Sequence, residues 1–189
     1  MDKPVNLIAL VCPNCSTPVP AQPDEVAWVC TQCGKGFLLD QVKGLVLLEV
    51  NYSSAIAPSA KGKPYWVAEG RVTLQRESYG FGSSTREAQA FWSQPRRFFI
   101  PAYSCPMETM LNEGIQRMAQ PPVLQPGPAC QFEPVTQSLE DVQAFAEFVL
   151  VAIEAGRKDK LKEIKFSLEL SSPSLWILPD DSPPSLPLP

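Results

Sequence analysis

Cys12-Pro-Asn-Cys15 and Cys30-Thr-Gln-Cys33, with fourteen residues between the pairs, are the stretch on which the reading of this chain turns. Each C-x-x-C turn sets two thiolates on one side of a metal, and tetrahedral zinc takes four such ligands at about 2.3 Å. Two turns complete the shell. The spacing predicts one structural Zn2+ held by Cys12, Cys15, Cys30 and Cys33, with no coordination position left for water or substrate. Gly34 follows the second pair, where the chain often needs positive φ, and Ser16 holds the matching place after the first. Disulfides, a thioredoxin-like redox pair or a rubredoxin-type iron site would use the same residue type. A redox site, however, uses a single C-x-x-C beside a βαβ pattern that this chain lacks, and iron pairs usually lie farther apart.

On these two pairs, the stretch from residue 5 to residue 40 resembles the zinc ribbons of general transcription factors, RNA polymerase subunits and many bacterial proteins. That motif recurs across unrelated functions and implies no activity. At Pro64-Tyr-Trp66, Phe91-Trp92 and Phe98-Phe-Ile-Pro101-Ala-Tyr103 the chain is also similar to uncharacterised bacterial proteins that join a leading zinc ribbon to an α+β domain. The expected fold is therefore α+β. A four-cysteine zinc ribbon occupies residues 1–42, a mixed domain with antiparallel strands and two main helices occupies 43–178, and a Pro-rich disordered tail occupies 179–189.

Composition narrows the function classes. At 189 residues, 44% hydrophobic and 19% charged, the chain can bury a real core in one or two small domains. A formal charge of −4 argues against a general affinity for nucleic acid, and the ribbon sets Lys35 against Asp24, Glu25 and Asp40. Histidine is absent, which removes every histidine base and histidine-ligated metal centre. No P-loop, G-x-G-x-x-G or H-E-x-x-H occurs. Cys105 and Cys130 are candidate nucleophiles by type, although buried inert thiols are the commoner state. The apolar run Leu7 to Val11 is too short for a signal core, and no stretch approaches the roughly twenty apolar residues of a spanning helix. The expectation is a cytoplasmic protein, without membrane association, in a compartment where thiolates persist.

Along the chain, Val5 to Val11 and Val26 to Val29 read as strands leading into the two knuckles, with Trp28 and Phe37 covering the metal. Leu45 to Val50 reads as one buried strand joining ribbon to body. Trp66, Ala68, Gly70, Val72 and Leu74 alternate with a second set of residues, the period of a half-buried strand. Ser84 to Trp92 predicts a short helix, Phe98 to Ile100 a strand, and Pro106 to Ala119 a helix stopped by Pro121 and Pro122. The Gly80 to Thr85 segment reads as a flexible connection. Ser138 and Asp141 open an apolar helix ending near Gly156, central to the core. Ile164 to Leu170 predicts a strand forming a hairpin with Leu175 to Leu178.

Residues 61–97 hold seven bases (Lys61, Lys63, Arg71, Arg76, Arg86, Arg96, Arg97) and three acids, interleaved with aromatics. Two readings follow. Alternation can send the aromatics inward and the arginines to solvent, or the mixture can form a surface for single-stranded nucleic acid or a protein partner. The reading favoured for the whole chain is a non-catalytic zinc protein acting as a protein-interaction module. A nucleic-acid-binding, transcription-associated ribbon is the alternative, and an enzyme using carboxylates or Cys105 is the third possibility.

Overall fold

The computed structural model describes residues 8–79 and 84–180, which form two sheets and three α-helices. The Gly80 to Ser83 connection, the start of the first expected strand and the tail from Asp181 lie outside the described residues. In the smaller sheet, β1 (Ala27–Val29), β2 (Gly36–Asp40) and β3 (Gly44–Leu48) run antiparallel in that order. Both parities of these strands are apolar because each face packs against a core, although Leu47 in β3 is 68% exposed. Trp28, Phe37, Leu39 and Leu45 pack with the cysteines, while Ala27, Leu38 and Leu48 pack into the main core.

Leu45 to Val50 is not one strand. The run breaks at the exposed Glu49, its first part closing the ribbon sheet as β3 and its last residue opening β4 (Val50–Tyr52). A single apolar run thus serves two sheets, and the charged residue that has nothing to bury marks the change.

The larger sheet is arranged on β5 (Lys63–Tyr79), which pairs antiparallel with β6 (Arg96–Pro101), β7 (Lys160–Leu170) and β8 (Ser174–Leu178). β4 adds to β8 in the one parallel pairing among the named strands. The expected hairpin between β7 and β8 does not form. Ser171 donates its N–H to the Glu69 carbonyl at 2.8 Å and accepts the Glu69 N–H on Oγ at 2.9 Å. The chain therefore continues along β5 instead of turning back, and β7 and β8 lie end to end on it.

Helices α1 (Ser84–Trp92), α2 (Met107–Ala119) and α3 (Val142–Ala155) fall where the sequence places them, the last after a 3-10 turn that Ser138 Oγ caps by accepting the Glu140 N–H. On α3 the buried residues Val142, Ala146, Val149, Leu150 and Glu154 make one stripe at helical spacing. They pack on the inward face of the sheet, where Trp66, Phe98, Ile100, Leu168, Leu175 and Ile177 meet. Phe148 on the same helix is 51% exposed, so α3 is buried along a face and not all round. Gly114 of α2 is the point of closest approach, since a Cβ there would lie 2.8 Å from Val149 Cγ2. A second core, on Tyr65, Val67, Phe99, Tyr103 and Leu178, covers the opposite parity at the start of β5.

The inward parity of β5 continues past Leu74 to Arg76, whose side chain is buried. Its Nε lies 3.0 Å from Glu154 Oε2, and its two terminal nitrogens hydrogen-bond both oxygens of Asp159. Glu154, fully buried, also accepts from Trp92 Nε1 at 2.8 Å and from Arg157 Nε at 2.9 Å. One carboxylate thus joins β5, α1 and the end of α3. Arg76→Ala is expected to cost about 3–5 kcal/mol in urea unfolding, because Glu154 loses one of the charges that compensate its burial. The Arg76 guanidinium holds the Asp159 carboxyl down at about 2. Since that value lies below the unfolded one, the pair's contribution is complete above the unfolded carboxyl's pKa of about 3.9 and fades as pH falls toward 2. The stability gap between wild type and Asp159→Asn should therefore be constant above about pH 4 and shrink below it.

Candidate metal centre

Two turns of the same build present the four cysteines. In the first, Ser16 N–H donates to the Cys12 carbonyl at 2.8 Å and Cys12 N–H to the Thr17 carbonyl at 2.8 Å. In the second, Gly34 N–H donates to the Cys30 carbonyl at 2.9 Å and Cys30 N–H to the Lys35 carbonyl at 2.9 Å. The residue after the second cysteine takes a left-handed conformation in both, with φ of 59° at Ser16 and 68° at Gly34. Glycine adopts that conformation freely and serine does so under strain.

The geometry fits a metal. All four Sγ atoms lie within 4.8 Å of one another, with Cys12 to Cys33 at 3.6 Å and Cys15 to Cys30 at 3.5 Å. Sulfurs about 2.3 Å from a tetrahedral ion would stand about 3.8 Å apart, close to what is seen. All six cysteines are free thiols, so the disulfide reading does not describe this chain. Cys12 and Cys30 are buried, Cys15 and Cys33 half-buried, and Trp28 and Phe37 pack against them with ring centroids 6.1 Å apart. In the metal-free chain, burial raises the Cys12 thiol to about 11. The Thr17 hydroxyl and backbone N–H lower Cys15 to about 6, and the Lys35 backbone N–H lowers Cys33. At these two positions hydrogen bonds to the sulfur favour thiolate, the form that binds metal.

The ribbon is joined to the body. Val26 N–H donates to the Val135 carbonyl at 2.8 Å, Ala27 bridges to Val135, and Leu39 N–H returns to the Val26 carbonyl at 2.8 Å.

Among its described residues, the stretch 61–97 sends most of its aromatics inward and divides its bases among several settings. Tyr65, Trp66, Trp92, Phe98 and Phe99 are buried, and Arg76 is buried with its acids. Lys63 pairs with Asp180 at 2.7 Å, and Arg96 lies over the Phe91 ring while donating to its carbonyl at 2.9 Å. Arg97 stands opposite Glu69, and Arg71 opposite Glu169, so the outer face alternates in sign. Strand parity decided this, and parity also places Arg76 inward by simple continuation from Trp66.

Sequence reasoning did not find a second buried polar group. Glu113 on α2 accepts from Tyr103 Oη at 2.8 Å and from Tyr65 Oη, while Arg117 Nη2 donates to Tyr65 Oη at 3.1 Å. The helical stripe Met110, Glu113, Gly114, Met118 carries the signal, since Glu113 falls on the buried side of α2. The carboxylate is engaged by both phenols, and burial raises both phenols well above their ordinary value. Cys105 beside them is pushed up by burial to about 11, and Cys130 is raised by the same cause. At both positions burial favours the neutral thiol.

No family model, curated protein or solved structure matches this chain. Among the described residues no helix is long and apolar enough to cross a membrane.

Two outcomes test the centre. Ser16→Gly is expected to raise the stability of the metal-loaded chain by about 1 kcal/mol, by removing left-handed strain. Cys30→Ser is expected to abolish metal binding, which can contribute on the order of 10 kcal/mol to folding a small domain. Because Ala27, Leu38 and Leu48 belong to the main core, that variant should also lower the melting temperature of the body. Calorimetry of the variants and elemental analysis check both.

Proposed function

We propose that the protein is a non-catalytic zinc protein whose metal braces a protein-interaction module. The observation that carries this reading is the closed shell: four sulfurs gather together, and no histidine or carboxylate joins them among the described residues. A metal with four protein ligands has no position to offer a substrate or an activated water, so its contribution is to fold. Zinc is favoured over iron by the short spacing of the two pairs. The raised thiols of Cys105 and Cys130 and the mutually engaged Glu113 cluster further support a non-catalytic reading.

Nucleic-acid binding is the weaker alternative, because bases of residues 61–97 are divided among buried pairs, ring contacts and a face of mixed sign. The test uses the metal-loaded full chain as bait, with nuclease treatment and a salt titration of any nucleic acid retained. The expected result is one zinc per chain and protein partners that survive nuclease and are lost with Cys30→Ser. Recovery of nucleic acid alone, with affinity collapsing as salt rises, would favour the alternative.

A further inference from the structure

Where the ribbon meets the body, β1 touches the 132–136 segment through the single bridge of Ala27 to Val135, and two hollows open beside it. The first, about 340 Å³, has apolar walls of Val19, Pro20, Trp28, Val29 and Phe132. The second, about 230 Å³, is lined by Asp24, Glu25, Glu133, Tyr103, Ser104 and Thr136. They share Gln22, Glu25, Glu133 and Pro134, so they form one groove with an apolar and an acidic end.

Charge decides what fits. Asp24, Glu25 and Glu133 face a single base, Lys61, and none of the four makes an ion pair among the described residues. The Glu25 carboxylate is held in place, with Oε2 accepting from Trp28 Nε1 and from the Gln22 N–H, each at 2.8 Å. Thr136 Oγ1, on the acidic wall, is buried and has no hydrogen-bond partner among the described residues. The groove therefore combines uncompensated negative charge, an unused hydroxyl and an apolar seat beside them.

Resting on the interaction reading above, we infer that this groove is the docking site for an extended segment of a partner protein that carries Lys or Arg next to an apolar side chain. In an extended segment, residues i and i+2 point the same way. One would enter the apolar hollow against Trp28 and the other would bring its cation to Asp24 and Glu133. The metal matters to this site because Trp28 packs in one cluster with Cys12 and Cys30.

The test selects phage-displayed random dodecapeptides on the metal-loaded full chain, then measures synthetic versions by fluorescence anisotropy. Selected peptides should share a Lys or Arg two positions from an apolar residue. Binding should weaken at least tenfold with the Asp24→Asn/Glu133→Gln chain, or when the peptide's base is replaced by Gln. The double variant alters no metal ligand, so unchanged zinc content confirms that the ribbon is intact. Peptides that bind this variant as tightly as wild type would overturn the groove and leave the interaction reading standing. Peptides with no basic preference would overturn it too. So would displacement of the selected peptides by a synthetic peptide of residues 1–7, or dimerisation of the free chain in sedimentation with the groove closed to peptide, since the occupant would then be the chain itself.

Discussion

The hydrogen-bond ladder along β5 places everything else in the body. Seventeen residues of one strand, Lys63–Tyr79, carry β8 and β7 in succession and β6 beside Tyr65 to Gly70. Backbone groups buried within a sheet must be paired, so once β5 is central its neighbours are constrained in register as well as position. A shift of one residue would carry Trp66 to the opposite face and bring Tyr65 to the face where Leu150 and Ile177 now pack. Near its start the strand is apolar in both parities because cores lie on both faces. Farther along, only one parity is buried, and it ends in Arg76 where the helical layer supplies acids instead of hydrocarbon.

The ribbon depends on a different interaction. Three short strands have little apolar surface of their own, and a metal held by the four gathered sulfurs would compensate for a small core. The sheet is nevertheless not a detached knob. One face carries the cysteines and the other contributes Ala27, Leu38 and Leu48 to the body, with β1 tied to Val135. Through that double-sided packing a metal bound by the cysteines would brace the body as well as the ribbon, and the groove between the two parts is a product of the same junction.

The buried charges divide the polar residues into those that hold the fold and those left for solvent or a partner. Arg76, Glu154, Asp159 and Arg157 neutralise one another around Trp92, and Glu113 is engaged by two phenols. Such groups resemble active sites in composition, and here each carboxylate is engaged by a cation or a phenol of the fold. Asp24 and Glu133 are different, because they line a hollow and form no ion pair among the described residues.

By itself the sequence determined the grouping of the four cysteines, the three helices and the alternation of β5, because each is a local pattern. Two thiolates on one turn, a capped apolar stripe and a period of two are legible without knowing what lies opposite. Pairing was not legible. That Leu45 to Val50 would be shared between two sheets, and that β7 and β8 would follow β5 instead of each other, depended on which partner strand was within reach. The basic run of residues 61–97 left two readings open for the same reason, since charge along a chain becomes charge on a surface only after strand parity and cross-strand neighbours have sorted it. The pairing of Glu113 with Tyr65, the pairing of Glu154 with Trp92 and Arg76, and the groove at Glu133 needed the tertiary structure, because these partners lie dozens of positions away.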